Sequence, residues 1–125
     1  MPKSASFAED VVEALRDAKI FGVRAGTEHR YTGVWVVVVD GRPFVRSWND
    51  KPTGWFRAFR NEPRGSVQVA GREVPVRAKL TRSARLREAV TAAFGKKYHT
   101  PASRKWVEGF GEPARERTTL EFVPR

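Results

Sequence analysis

Between Arg42 and Arg64 the chain carries six basic residues, Arg42, Arg46, Lys51, Arg57, Arg60 and Arg64, against two acids, Asp50 and Glu62, a local charge of +4. Phe44, Trp48, Trp55, Phe56 and Phe59 are interleaved with them. Arginine presents a planar fork of N–H donors that matches phosphate, and aromatic faces match a planar heterocycle. The combination suits a phosphorylated ring. Arg46, Arg57 and Arg60 would hold phosphate, Ser47 would donate to phosphate or ring oxygens, and Trp55 would pack on the ring. A second reading makes Trp55, Phe56 and Phe59 core, because large aromatics dominate cores, with the arginines solvated. Arg46 fits that reading less well. It sits inside a strand between Phe44 and Trp48 on the same face, so its charge wants a partner there.

Other chemistries find little support. The chain has no cysteine, which removes disulfides, thiolate metal sites and a cysteine nucleophile. His29 and His99 each lack a histidine or carboxylate partner at three or four residues, a spacing zinc sites favour. Glu9, Asp10, Glu13 and Glu88 read as solvated helix positions rather than a placed catalytic pair. No serine occupies a Gly-x-Ser-x-Gly elbow, and no Gly-rich phosphate loop is present. A reaction on this chain would therefore rely on a cofactor.

These side chains need elements to position them. Phe7, Val11, Val12 and Leu15 recur at helical spacing, and Ser6 to Glu9 has capping-box spacing, so a helix is expected from Phe7 to about Lys19. Ile20 to Arg24 reads as a short strand and Ala25 to Arg30 as a loop. Tyr31 to Val39 is the strongest strand signal and ends at Asp40-Gly41, a favoured hairpin turn, from which Pro43 to Trp48 returns. Val34 to Val39 is apolar on both faces, so both should be buried, one in a barrel and the other against a helix or a second copy of the chain; with few helices in the chain, a second copy is the expected cover. Trp55 to Asn61 forms a short helix. Ser66 to Ala70 and Glu73 to Leu80 form strands around Gly71, and Pro75 places the second at an edge. Ala84 to Lys97 is a helix with Lys96 and Lys97 at the negative end of its dipole. Thr100-Pro101 starts another helix, with Trp106, Val107 and Phe110 on its apolar face. Arg117 to Val123 is the last strand.

A chain of 125 residues suits one domain, 1–125, with residues 1–5 as a flexible tail, and buries roughly two thirds of its unfolded surface. The N-terminus has no apolar targeting segment and no apolar run long enough to span a membrane, so a cytoplasmic protein is expected. The net charge is +10, from 24 basic and 14 acidic residues. That charge favours anionic partners. Seventeen of the basic residues are arginine in a chain also rich in Ala, Gly and Val, which a GC-rich genome equally produces. Nucleic-acid binding stays open as an alternative, since basic residues with aromatics track phosphates and stack bases, although no nucleic-acid motif is present.

The run Thr32-Gly33-Val34-Trp35-Val36-Val37-Val38-Val39-Asp40-Gly41, then Phe44-Val45-Arg46-Ser47-Trp48 and Gly54-Trp55, resembles a bacterial family of small proteins classed as a domain of unknown function. Ala93-Phe94-Gly95-Lys96-Lys97-Tyr98 and the terminal Thr118-Thr119-Leu120-Glu121-Phe122-Val123-Pro124-Arg125 fit the same pattern. That family resembles in fold the split β-barrels of flavin-binding proteins, the pyridoxamine-phosphate-oxidase-like proteins and the deazaflavin-dependent nitroreductases. The resemblance implies an α+β fold, an antiparallel split barrel of about six strands with flanking helices. It also implies a homodimer and a groove for flavin mononucleotide or a deazaflavin, serving an oxidoreductase. It adds the loop with Arg24, Thr27 and Arg30 to the candidate cofactor-binding residues. A non-catalytic small-ligand or interaction module on the same barrel is the other outcome it allows.

Overall fold

The computed structural model describes residues 7–125, so the expected tail and the Ser6 cap lie outside the described residues. Helix α1 spans Glu9–Asp17, with Ala8 at the N-cap position, and is followed by strands β1 (Phe21–Ala25), β2 (Thr32–Val34), β3 (Val37–Val39) and β4 (Arg42–Val45). Helix α2 (Trp55–Asn61), strands β5 (Arg64–Val69) and β6 (Arg72–Leu80), and helix α3 (Ala84–Lys97) come next. Helices α4 (Arg104–Phe110) and α5 (Pro113–Glu116) precede the last strand, β7 (Leu120–Pro124). A single 3₁₀ turn, Pro101–Ser103, stands where a full helix start was expected at Thr100-Pro101, and α5 was not anticipated from the sequence.

The strands form one antiparallel sheet in the order β2-β1-β5-β6-β7-β4-β3. Its two edge strands, β2 and β3, are separated in sequence only by Trp35 and Val36. Three residue steps span at most about 11 Å, so the sheet must curl until its edges face each other. The result is a split barrel: one side is joined by covalent chain rather than by ladder hydrogen bonds. The expected single strand from Tyr31 to Val39 breaks at Trp35-Val36 for this reason, and the break raises the strand number from about six to seven.

Two side chains of α3 satisfy the backbone that the split leaves without a ladder. The Tyr98 hydroxyl accepts from the Val36 N–H at 3.1 Å and lies 2.5 Å from the Lys19 carbonyl, to which it donates. Lys97 Nζ donates to the carbonyls of Val36 at 2.7 Å, Ala18 at 2.6 Å and Leu15 at 3.2 Å. The clasp thus ties the end of α1, the split and α3 together.

The hairpin expected at Asp40-Gly41 forms, as does the one expected around Gly71, where Ala70 leaves the strand to join the turn; all four residues have positive φ between 52° and 74°, the backbone of a type I′ turn. The barrel interior is filled by Phe21, Val23, Val36, Val45, Val67, Val76, Leu120 and Phe122, with Leu15 from α1 and Phe56 and Phe59 from α2. A second cluster, Val37, Phe44, Val90, Phe94 and Tyr98, lies between the β3–β4 hairpin and α3. The doubly apolar strand therefore packs on both faces as expected, but the cover on its outer face is α3 of the same chain and not the second copy expected there.

Pro75 corrects another expectation. Strand β6 is interior, flanked by β5 and β7. The Pro75 carbonyl accepts from the N–H of Arg125, where β7 has already ended. In a strand the N–H and C=O of one residue point the same way. The donor that proline lacks would therefore face Arg125, one position past the last β6–β7 ladder pair, Val76 with Pro124.

Candidate functional site

Phe44, Arg46 and Trp48 share a face, as their alternation requires. Phe44 enters the α3 cluster, and Arg46 and Trp48 continue that face toward α3 and α4. Next to them a cleft of about 370 Å³ opens beside the barrel split, lined by Ile20, Gly33, Val34, Trp35, Arg46, Trp48, Trp55, Trp106 and Phe110. These include all four tryptophans of the chain. The volume is within the range of small-ligand sites, and an aromatic lining with few polar groups is their usual chemistry.

Each tryptophan packs against neighbouring side chains. Trp35, at the split, stacks on Tyr98 with ring centroids 3.9 Å apart and planes 4° from parallel. The Arg115 guanidinium lies 3.6 Å over the face of Trp48, and Arg115 Nε donates to the Trp48 carbonyl at 2.8 Å. Trp106 and Phe110 of α4 meet Trp48 edge-on at 4.9 and 5.3 Å. Gly109 is what lets α4 approach: a Cβ there would stand 2.2 Å from the Trp48 ring. Trp55 opens α2, whose next apolar positions, Phe56 and Phe59, anchor it in the barrel.

Arg46 is 3% exposed and is already hydrogen-bonded within the chain. Its Nε donates to Thr119 Oγ1 at 2.8 Å, one terminal nitrogen to Thr91 Oγ1 at 2.8 Å and the Phe110 carbonyl at 2.9 Å, and the other to the Arg87 carbonyl at 2.8 Å. All four acceptors are neutral. Burial lowers its pKa to about 10, with Glu116 opposing that shift and Arg87 adding to it, so the group remains a cation at neutral pH. Arg46 thus bolts β7, α3 and α4 to the end of β4. The expectation that it holds a ligand phosphate by direct donation is replaced by this role, because four of its five N–H groups are engaged.

A smaller hollow of about 160 Å³ lies on the other side of Trp55, lined by Val23, Arg24, Ala25, His29, Arg30, Thr32, Thr53, Gly54, Trp55 and Ala58. Thr32 and Gly33 are adjacent on β2, so Trp55 and β2 are shared walls of the two spaces. Arg24 stacks over the Tyr31 ring at 4.5 Å and reaches Glu73 at 3.5 Å, while its Nε is buried without a partner among the described residues.

The structure therefore brings Arg24, Arg30 and Trp55 to one hollow, and Arg46 and Trp55 to the cleft. The other candidates lie elsewhere. Thr27 is exposed in the loop and lines neither space. Ser47 is buried, with its hydroxyl donating to the Asn49 carbonyl and its N–H to Thr118 Oγ1, and it faces a separate cavity beside Glu112 and Arg115. Arg57 is engaged by Asp50 at 2.6 Å on the outer side of α2, and Arg60 is exposed there. At 3.6 residues per turn Arg57 points away from the buried face that seats α2, and Arg60 borders that face with its side chain exposed. Sequence reasoning missed Trp35, Trp106 and Phe110 as cleft walls, and His29, Thr32 and Thr53 in the hollow. Trp106, expected on the apolar face of the helix after Thr100-Pro101, is 42% exposed. A larger cavity, about 590 Å³ between α1, the β3–β4 hairpin and β7, is a poorer candidate, since its Arg42 is bound to Glu121 through two bonds of 2.8 Å.

A family described as an uncharacterised protein conserved in bacteria, DUF2255, matches residues 10–122. The chain belongs to this family. No curated protein matches it. Among solved structures, the conserved hypothetical protein Rv2991 from Mycobacterium tuberculosis is similar at 14% identity and a TM-score of 0.63, over 100% of this chain and 85% of that one. A putative pyridoxamine 5′-phosphate oxidase from Listeria innocua is similar at 14% identity and 0.63, over 94% and 92%. A FAD-binding protein from Mesorhizobium loti is similar at 16% identity and 0.57, over 95% and 90%. At these identities the likeness is one of fold, and it agrees with the split barrel. Among the described residues no helix is long and apolar enough to cross a membrane.

Proposed function

We propose that the protein binds a phosphorylated planar heterocycle of the flavin or deazaflavin type, with the ring in the tryptophan cleft and the phosphate toward Arg24 and Arg30. The observation that carries this reading is the convergence of all four tryptophans on one cleft beside the split. Two of the structural neighbours are named for a flavin dinucleotide and for a phosphorylated pyridine substrate, which favours the same chemical class. Trp35, Trp48 and Trp55 stack or edge the ring, and Phe110 closes the cleft floor. Arg30 and Arg24 supply charge for phosphate across Trp55. When bound, a flavin supplies hydride or electron transfer, and an oxidoreductase is the activity this reading allows.

The position of the tryptophans makes the test direct. Titration with flavin mononucleotide should quench most of the intrinsic fluorescence and perturb the flavin's visible spectrum, and riboflavin should bind more weakly because it lacks the phosphate. No quenching and no spectral change with flavin mononucleotide or a deazaflavin would end this reading.

A second reading, in which the face is an interface, has its own support. Ile20 at 62% and Trp106 at 42% are the exposed large apolar side chains among the described residues, and both line the cleft. A second copy of the chain covering that rim is the homodimer expected from the family resemblance. Light scattering at micromolar concentration distinguishes the two: a monomer that binds flavin supports the ligand reading alone, and a dimer whose tryptophans are inaccessible to soluble quenchers supports the interface.

A further inference from the structure

The charge of Arg46 goes beyond the ring-binding reading and, resting on that reading, narrows the class of ring. Its four hydrogen bonds end on two threonine hydroxyls and two backbone carbonyls. Such dipoles satisfy N–H donors but do not cancel a net charge. Among the described residues no carboxylate lies within ion-pair distance of this guanidinium. Of the charged groups that act on it, Glu116 attracts and the Arg87 guanidinium repels. The cleft wall thus contains a buried cation with no anion in contact. Arg115 adds a second guanidinium behind Trp48, this one paired with Glu112 at 2.5 Å.

A buried charge without a paired anion is costly, and a ligand of opposite charge in the same low-dielectric space relieves that cost. The aromatic walls act against this, because their faces are electronegative. The two effects differ in range. A monopole's potential falls with the first power of distance and a quadrupole's with the third, so at the width of a ring the buried cation prevails. Arg115, stacked on the far face of Trp48, further weakens that wall's repulsion. From this arrangement we propose that the tryptophan cleft selects planar rings carrying a delocalised negative charge, such as an ionised imide, enolate, phenolate or reduced flavin anion, over neutral rings of the same shape.

The experiment uses the full chain and two tricyclic dyes with the same ring system: resorufin, whose ring phenol is ionised near neutral pH, and its O-methyl ether, which is neutral and larger by one methyl group. Binding is read from tryptophan fluorescence. Resorufin should bind about tenfold more tightly than the ether, and the phenol of the bound dye should titrate about one pH unit lower than in water, the same preference read by absorbance. Equal affinities, or a preference for the ether, would overturn the inference. Binding of flavin mononucleotide without binding of either dye would also overturn it while leaving the ring site standing. Failure of all three ligands removes the ring site itself. In a folded Arg46→Gln protein the preference should vanish; where that variant does not fold, the wild-type dye pair decides.

Discussion

The strand end at Arg46 and the loop from Arg24 to Arg30 carry the same side-chain chemistry and differ in how it is used. Arg46 is buried and turned inward, its fork bridging three elements of the fold. Arg24 and Arg30 lie at a hollow on the surface, Arg24 half-buried and Arg30 exposed. An arginine whose donors already meet protein acceptors shapes a site by its field and by the elements it holds. An arginine at an open hollow can donate to whatever enters it. The contrast predicts that mutations in the first region act on stability and those in the second on ligand affinity.

The largest expected effect breaks the first half of the comparison if it fails. Arg46→Met removes the donor from Thr91, Thr119 and two backbone carbonyls in a buried setting, which should cost on the order of 3 kcal/mol. Urea unfolding measures it. A loss below about 1 kcal/mol would mean that the network does not hold α3 and α4 to β7.

Much of this frame was legible in the sequence. Both hairpin turns, the bounds of α2 and α3 and the shared face of Phe44, Arg46 and Trp48 follow from turn chemistry and periodicity, which are local signals. The break at Trp35-Val36 was not legible, because nothing in an apolar β-branched run marks where a sheet must change edges; that depends on how seven strands close. For the same reason Lys97 and Tyr98 read only as the end of a helix, although they satisfy the split 61 and 62 residues away in sequence. The candidate site was half legible. Residue type identified Trp55, and the family resemblance added Arg24 and Arg30. Neither gave a means of knowing that Arg46 would find four acceptors from distant elements, or that Trp106 would line the cleft.

A smaller effect should fall on the cleft itself. Gly109→Ala drives a methyl group into the Trp48 ring, so α4 and Trp48 must separate. Overpacking of this kind costs about 1–3 kcal/mol. Because Trp48 is a cleft wall, the substitution should also shift tryptophan emission and weaken ring binding more than it weakens phosphate recognition. A variant with normal emission and unchanged ring affinity would show that Trp48 does not need its seat on α4.

The clasp across the split supplies a test by pH, with two neighbours of opposite sign. Burial lowers the Lys97 pKa from 10.5 to about 8, so between those values the unfolded chain binds more protons at this site and its contribution to stability rises with pH. Burial raises the Tyr98 pKa from 10.0 to about 12, so its contribution is fully present below 10.0 and is lost as pH climbs toward 12. Relative to Lys97→Met, the wild type should therefore gain stability from about pH 8 toward 10.5. Relative to Tyr98→Phe, it should lose stability above 10.0. Unfolding free energies measured along the pH series report both slopes, and parallel curves for wild type and Lys97→Met would remove Lys97 from the account of the split.

The smallest stability effects sharpen the other half of the comparison. Arg57→Ala, Arg60→Ala and Arg30→Ala all act at exposed side chains, and each should change stability by less than about 0.5 kcal/mol. Their effect on ligand binding should separate them. Arg57 is held by Asp50 on the outer side of α2 and Arg60 is exposed beside the buried face, and neither lines the cleft or the hollow, so neither substitution should alter the ratio of affinities for flavin mononucleotide and riboflavin. Arg30 lines the hollow beside Trp55, so its loss should weaken flavin mononucleotide and leave riboflavin nearly unchanged, drawing the two affinities together. Riboflavin carries the same ring without the phosphate, which makes the ratio insensitive to any disturbance of the tryptophan cleft. If Arg57→Ala or Arg60→Ala shifted the ratio and Arg30→Ala did not, phosphate would be held along the outer side of α2, as the sequence pattern first indicated, and the hollow would have no part in binding.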